Sequence, residues 1–326
     1  MKTVKVVLHA FRPLFFMLIG VLLLGACSTG TQESVPTSIP TYVPAPTVRA
    51  QASENAVRVG VLATRSAVAT QAEYGPILTY LEETLGRPFA FVPITQEEQF
   101  IQVEQSNLDF VFSNPLAAVQ LRRLYGTKFL ATLSYVDTGP EFSAQVIVRK
   151  DSGIETLEDL QGKRGACAVL GAAAAGCDFQ VYELIQRGID PYKDFSSIVE
   201  ITSKDNIVLS VLNKTVDVGF ICTRQLKRMV ADGMLLNLDD IRVLDQAQDD
   251  FVYPHTTDIY PQWPFAALAK TDPALTEAVR QALLAIPADH PAMTNIKAIG
   301  FVPTMDYSSL DVLIETLNLH SWDAGQ

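Results

Sequence analysis

The sequence predicts an α/β fold of two lobes that face each other across a cleft, and three observations point there. From about residue 57 to 320, short runs rich in Val, Ile and Phe alternate with amphipathic helical stretches, the pattern of largely parallel sheets. The alternation passes through two successive units joined by more than one strand-like segment. Hydrophobic residues make up 48% of the chain, which is enough to fill two ordinary cores.

The elements read as follows. Residues 57–63 (VRVGVLA) form a buried strand. A helix over 73–85 turns Ile77, Leu78, Leu81 and Leu85 inward, and 89–92 is the second strand. A helix over 96–105 leads to a third strand, 108–112, that ends at Ser113-Asn114-Pro115, where Pro115 is placed to open the helix 116–125. Strands at 129–135 and 144–149 follow. The second unit has a short helix near 157–160, a strand at 165–169, a Gly/Ala loop, and a helix over 178–186. Strands at 198–201 and 216–221 alternate with helices at 206–212 and 225–232. A strand at 265–269 and helices at 273–286 and 309–317 complete the chain. The expected division is 57–143 plus 250–320 for lobe 1, 144–249 for lobe 2, and a tail at 321–326.

Ahead of this region, Lys2, Lys5 and Arg12 precede an apolar run from Leu14 to Leu24 that ends in Leu24-Gly25-Ala26-Cys27. The run is too short to span a bilayer, and a Cys stands at the expected cleavage point. Residues 1–26 therefore read as a lipoprotein signal peptide and Cys27 as the lipid-bearing first residue of the mature chain. An uncleaved anchor or an ordinary signal peptide would leave the same extracytoplasmic topology. Residues 27–56 are rich in Ser, Thr and Pro, lack an apolar period, and suit a disordered tether. The formal net charge is −11, and removal of the leader deepens it, so nucleic acid is excluded as a partner.

Open parallel sheets place ligands beyond the carboxyl ends of their strands. The Gly/Ala loop carries almost no side chains and runs into a helix start, so Ala174, Ala175, Gly176 and Cys177 could present backbone N–H groups to a small anion. A tight strand-to-helix connection explains the same residues. Thr64 and Arg65 follow the first strand, where a guanidinium can grip an oxyanion in bidentate fashion. Ser113 and Asn114 follow the third strand, and an N-cap role alone explains them. Lys204 and Asp205 precede the helix from Asn206, Asp205 as its cap and Lys204 free to face the cleft. Cys222 and Thr223 end the strand VDVGFI.

In an oxidising compartment Cys167 and Cys177 could form a disulfide that pins the Gly/Ala loop from both sides, leaving Cys222 as a free thiol. Free, Cys177 would sit at a helix N-terminus, where a thiolate is favoured. The four His residues make no ligand pattern with these Cys, so no metal or cofactor is expected. No G-x-S-x-G, H-E-x-x-H or P-loop is present, and binding rather than enzymatic turnover is the expected activity.

Five short motifs carry a resemblance: Tyr74-Gly75-Pro76 as a helix start; Leu108-Asp109-Phe110 with Ser113-Asn114-Pro115; Val216-Asp217-Val218-Gly219-Phe220; Tyr260 to Ala267 (YPQWPFAA) followed by Thr271-Asp272-Pro273; and Gly300-Phe301-Val302-Pro303 with Asp306-Tyr307. In order and spacing, Val57 to Leu319 resembles the solute-binding proteins of phosphate/phosphite/phosphonate ABC importers, and in detail the related sensor domains of bacterial histidine kinases. The resemblance implies a type II periplasmic-binding fold with a hinge and an interlobe cleft. It also implies departures. The Ser-Thr-Ser run that holds the phosphonate corresponds to Ala173 to Cys177, the cleft Tyr to Ser113, and a His to Lys204. A small anionic ligand is therefore expected, with either an ABC permease or a membrane sensor kinase as partner. Cys177 and Cys222 leave room for a sulfur oxyanion or a redox ligand.

Overall fold

The computed structural model describes residues 55–319. The signal peptide, Cys27, the tether up to residue 54 and the tail lie outside the described residues.

The chain builds two sheets in turn. The elements of the first are β1 (Val57–Leu62), α1 (Ala67–Leu85), β2 (Phe89–Ile94), α2 (Glu98–Glu104), β3 (Phe110–Phe112), α3 (Pro115–Tyr125) and β4 (Lys128–Tyr135). The chain then crosses through β5 (Glu141–Phe142) into β6 (Ala144–Arg149), β7 (Arg164–Cys167), α4 (Asp178–Gln186), α5 (Pro191–Asp194), β8 (Ser197–Glu200), α6 (Lys204–Leu212), β9 (Val218–Cys222), α7 (Gln225–Ala231) and β10 (Ile241–Val243). It returns through β11 (Tyr260–Pro261) to β12 (Pro264–Ala267), α8 (Pro273–Ala285), α9 (Pro291–Thr294), β13 (Ala298–Pro303) and α10 (Ser308–Thr316).

The sheet orders are β2-β1-β3-β12-β4-β13 and β8-β7-β9-β6-β10. Each has a parallel trio with its earliest strand in the middle, joined to an antiparallel strand: β12 against β3 in one, β6 against β9 in the other. Between the sheets the two crossings run side by side as the antiparallel pair β5–β11, a narrow double connection. Each sheet has its own core, one around Val59, Phe110, Phe112 and Phe265, the other around Val146, Ile147, Val218 and Phe220. A third cluster spans both lobes: Leu116 and Val119 of α3 meet Ala174, Ala175 and Phe179, with Tyr260 stacked on Phe179 at 3.8 Å between ring centroids.

Several elements differ from expectation. Helix α1 begins six residues early because Ser66 caps it, its Oγ accepting from the Ala69 amide. Pro76 and its motif thus lie inside the helix and not at its start. Proline removes the N–H that would reach the Ala72 carbonyl, and the Asn295 side chain replaces it, Nδ2 donating to the carbonyls of Ala72 at 2.9 Å and Glu73 at 2.8 Å. Helix α6 starts at Lys204 and is capped by Ser203, not by Asp205. The helix near 157–160 is a single 3-10 turn. Strands β10 and β13 carry no alternation strong enough to have marked them.

Candidate functional site

The Gly/Ala loop between β7 and α4 lies where the lobes meet. Its residues Ala172 to Ala175 are 0–4% exposed, and side-chain poverty lets the opposite lobe come close. Asn114 Nδ2 donates to the Ala172 carbonyl at 2.8 Å, and Gln120 Nε2 to that of Gly171 at 2.7 Å. A disulfide joins Cys167 to Cys177, with Cα atoms 4.9 Å apart, and ties the two ends of the loop together.

The loop amides are largely occupied by the chain itself. The Leu170 N–H donates to Glu200 Oε1 at 3.0 Å, the Gly171 N–H to Asp178 Oδ1 at 2.8 Å, and the Ala173 N–H to the Val169 carbonyl at 2.9 Å. Asp178, in the first turn of α4, is fully buried, and its carboxylate sits where an external anion was expected. Burial pushes its pKa up to about 7, helped by the charge of Glu200 and tempered by the Gly171 and Ala173 amides.

Cations instead gather at the carboxyl end of β9. Cys222 ends that strand as a half-buried free thiol, and Lys204 Nζ lies 3.8 Å from its Sγ. The Lys204 stem crosses Gly176, where a Cβ would come within 3.0 Å of Lys204 Cε. Lys204 has no carboxylate within ion-pair distance among the described residues. Arg228 binds Asp205 at 3.2 Å and Gln225 at 2.9 Å, and although partial burial works against its charge, its pKa is raised, with the Asp205 carboxylate beside it. Arg224 has a left-handed backbone (φ 69°), a strained conformation for a residue with a side chain. Its guanidinium reaches across to lobe 1, stacking over the Tyr135 ring at 3.9 Å and pairing with Asp137 at 3.4 Å. Tyr135 is hydrogen-bonded to Tyr74, which stacks with Trp263, and burial raises the pKa of both tyrosines.

The other candidates fall as follows. Arg65 bridges the lobes, 3.2 Å from Asp232 and 3.9 Å from Asp205, and Thr64 stands half-buried beside it. Ser113 is fully buried and donates to Gln99, so its hydroxyl is engaged inside lobe 1. Asn114 caps α3, its Oδ1 accepting from the Ala117 amide at 3.1 Å. The Thr223 hydroxyl is spent on the backbone of Ser143 at the crossing. The structure therefore brings Lys204, Asp205, Cys222 and Gly176 together, with Arg65 at the edge. It does not bring Ser113 or Thr223 to them. Sequence reading missed Arg224, Arg228, Tyr74 and Tyr135. Arg224 and Arg228 are four apart directly after a strand, a signal that could have been read.

A family profile described as "ABC transporter, phosphonate, periplasmic substrate-binding protein" matches residues 59–308. The chain belongs to the phosphonate-type periplasmic substrate-binding protein family. Members of this family are extracytoplasmic binding proteins, not enzymes, and the two-lobed type II fold is theirs. PhnD1 of Prochlorococcus marinus, solved in complex with methylphosphonate, matches with a TM-score of 0.68 at 16% identity over 81% of this chain and 99% of that one. A Xanthomonas citri protein solved with ATP matches with a TM-score of 0.66 at 18% identity over 82% of this chain and 99% of that one. The tetrathionate sensor histidine kinase TtrS of Salmonella typhimurium is 29% identical over 236 residues, which are 71% of this chain and 39% of the kinase. The chain thus spans about two fifths of the length of that relative. Among the described residues no helix is long and apolar enough to cross a membrane.

Proposed function

We propose that this solute-binding protein is a lipid-anchored receptor, held by Cys27, that captures a small sulfur oxoanion of the polythionate class between its lobes and reports the closed state to a membrane sensor kinase. The observation that carries the reading is the Lys204 ammonium, with no carboxylate in ion-pair reach among the described residues, beside the Cys222 thiol at a strand end. A compact cation next to a soft, polarizable sulfur suits an anion that is itself rich in sulfur. The ligand contacts are Lys204, Cys222 and, on closure, Arg65, Arg224 and Arg228. The likeness to a tetrathionate sensor supports this choice, as does the lack of hydroxyl side chains from Ala174 to Cys177. Closure favours one lobe arrangement, and a partner that contacts both lobes reads it.

The family match favours a second reading: delivery of a phosphate-, phosphite- or phosphonate-like oxyanion to an ABC permease, with Lys204 as the anion contact. Calorimetry and thermal shift on the purified chain with tetrathionate, thiosulfate, sulfate, phosphate, phosphite and methylphosphonate separate the two, because a ligand that binds only the folded form raises its melting temperature. Tetrathionate alone should stabilise the protein; a response to methylphosphonate but not to tetrathionate would reject the first reading. Lys204→Ala should weaken the true ligand by about 1.5–3 kcal/mol, the worth of a charge-assisted hydrogen bond, and unchanged affinity removes Lys204 from the site.

A further inference from the structure

We infer that α7 is a clasp between the lobes, which holds them together through Arg224 and Asp137 before any ligand arrives and so sets the resting balance between open and shut forms. The inference goes beyond the ligand reading above and is independent of which anion is bound. Helix α7 belongs to lobe 2, yet lobe 1 grips it at both ends. At its start, the Arg224 guanidinium lies 3.9 Å over the Tyr135 ring, and its Nε is 3.4 Å from Asp137 Oδ2. Just past its end, Asp232 pairs with Arg65 of lobe 1 at 3.2 Å. A second line leaves the helix from Lys227, whose Nζ donates to the Tyr253 hydroxyl at 3.2 Å, and that hydroxyl donates in turn to Asp137 Oδ2.

Three observations make the Arg224 end the stronger of the two. Its side chain and that of Asp137 are each 23% exposed, against 34% and 41% for Arg65 and Asp232, so water screens the first pair less. Among the described residues Arg224 and Asp137 have no ion-pair partner but each other. The backbone at Arg224 is left-handed, φ 69°, a conformation that costs a residue with a Cβ and persists where its surroundings hold it. One residue earlier the chain is fixed, because the Thr223 amide and hydroxyl both donate to the Ser143 carbonyl at 3.0 Å. Arg224 therefore reaches lobe 1 from a firm base. Its pairing and stacking act while the lobes touch and vanish when they part. A ligand then shifts a balance that already includes the shut form, which lowers the differential binding energy it must supply.

The test is double electron-electron resonance on the ligand-free full chain. Spin labels go on Ile101→Cys of α2 and Leu236→Cys beyond α7, exposed positions on opposite lobes, in a Cys222→Ser background. The clasp predicts a short interlobe distance, alone or beside a longer one. Asp137→Asn and Arg224→Gln should each lower the ratio of short to long by about fivefold, the size of one charge-assisted contact reduced for its partial exposure. The double variant should do no more than either alone, because the two side chains make one contact. Arg65→Gln, at the more exposed end, should lower the ratio by about twofold. Salt at ~1 M, where the screening length falls to ~3 Å, should act on the wild type as the substitutions do and move the double variant much less. A long distance alone in the wild type, an unchanged ratio in Asp137→Asn, or additive effects in the double variant would overturn the clasp. Urea midpoints separate an opened chain from an unfolded one, and if Arg224→Gln does not fold, Asp137→Asn and the salt series decide the matter, since asparagine keeps the size of the side chain and an acceptor for Tyr253.

Discussion

Asp178→Asn exchanges one buried carboxylate oxygen for an amide nitrogen and abolishes a titration. In the folded protein the carboxyl is pushed up to about 7 from its ordinary 3.8, chiefly by burial. In the unfolded chain it ionises near ~4. The native state therefore holds the proton more tightly. Below about pH 4 both states are protonated and the contribution to stability is intact; as pH rises the unfolded chain ionises first and stability drains away, the loss being complete above about pH 7. A difference of about three pH units corresponds to about 4 kcal/mol at ~1.4 kcal/mol per unit. Asparagine keeps an acceptor for the Gly171 amide but adds N–H donors at the place of Oδ2, which has no hydrogen-bond partner among the described residues. That change costs about 1–3 kcal/mol at every pH. Urea unfolding of both proteins at intervals from pH 4 to 8 should then give a stability difference that moves in favour of the variant by up to about 4 kcal/mol across the window and is flat beyond it. Parallel stability curves for the two proteins would refute the assignment of a buried, proton-holding Asp178 beneath the interlobe loop.

Two further outcomes concern the same lobe. Replacing Cys167 and Cys177 together by Ala should lower unfolding stability by about 3 kcal/mol, the loop-closure value for a separation of 10 residues, while intact-mass analysis of the native protein under non-reducing conditions should find one alkylatable thiol among the described cysteines; an unchanged denaturation midpoint would count against the bridge as a stabiliser. Gly219→Ala on β9 would set a methyl 2.8 Å from Ile207 Cγ2 and 2.9 Å from Val211 Cγ2 of α6, so thermal unfolding should show a loss of about 1–3 kcal/mol from overpacking; a neutral result would mean that α6 shifts freely on the sheet.

How far the sequence could be read depended on how local each signal was. Helix α4 was legible because Phe179, Tyr182, Leu184 and Ile185 fall at helical spacing over a full element. Its partner loop was legible as a place where something approaches the backbone closely. What approaches was not: the loop carbonyls take Asn114 and Gln120 from 51 to 58 residues away in sequence, and the loop amide of Gly171 is taken by Asp178. Alpha-helix start positions slipped where two capping residues competed, as with Ser203 and Asp205. There the distant Gln225 and Arg228 drew the carboxylate of Asp205 away from the helix end. The early start of α1 was hidden by Pro76, whose place inside a helix is tolerated because of Asn295, more than 200 residues on.

From its own order of residues the chain determined that two α/β units would form, that they would be joined by more than one segment, and that Lys204 and Cys222 would stand at strand ends. These follow from periodicity and small-residue runs, which act over a few turns of backbone. Only the tertiary structure decided which of those strand-end groups share a space. Cys222 meets Lys204 because β8 and β9 both run parallel to β7, so that the start of α6 after β8 and the end of β9 reach the same edge of the sheet, while Thr223, one residue on, faces the crossing. Alternation along a strand sends successive side chains to opposite faces, and which face borders the cleft is set by how the two sheets dock.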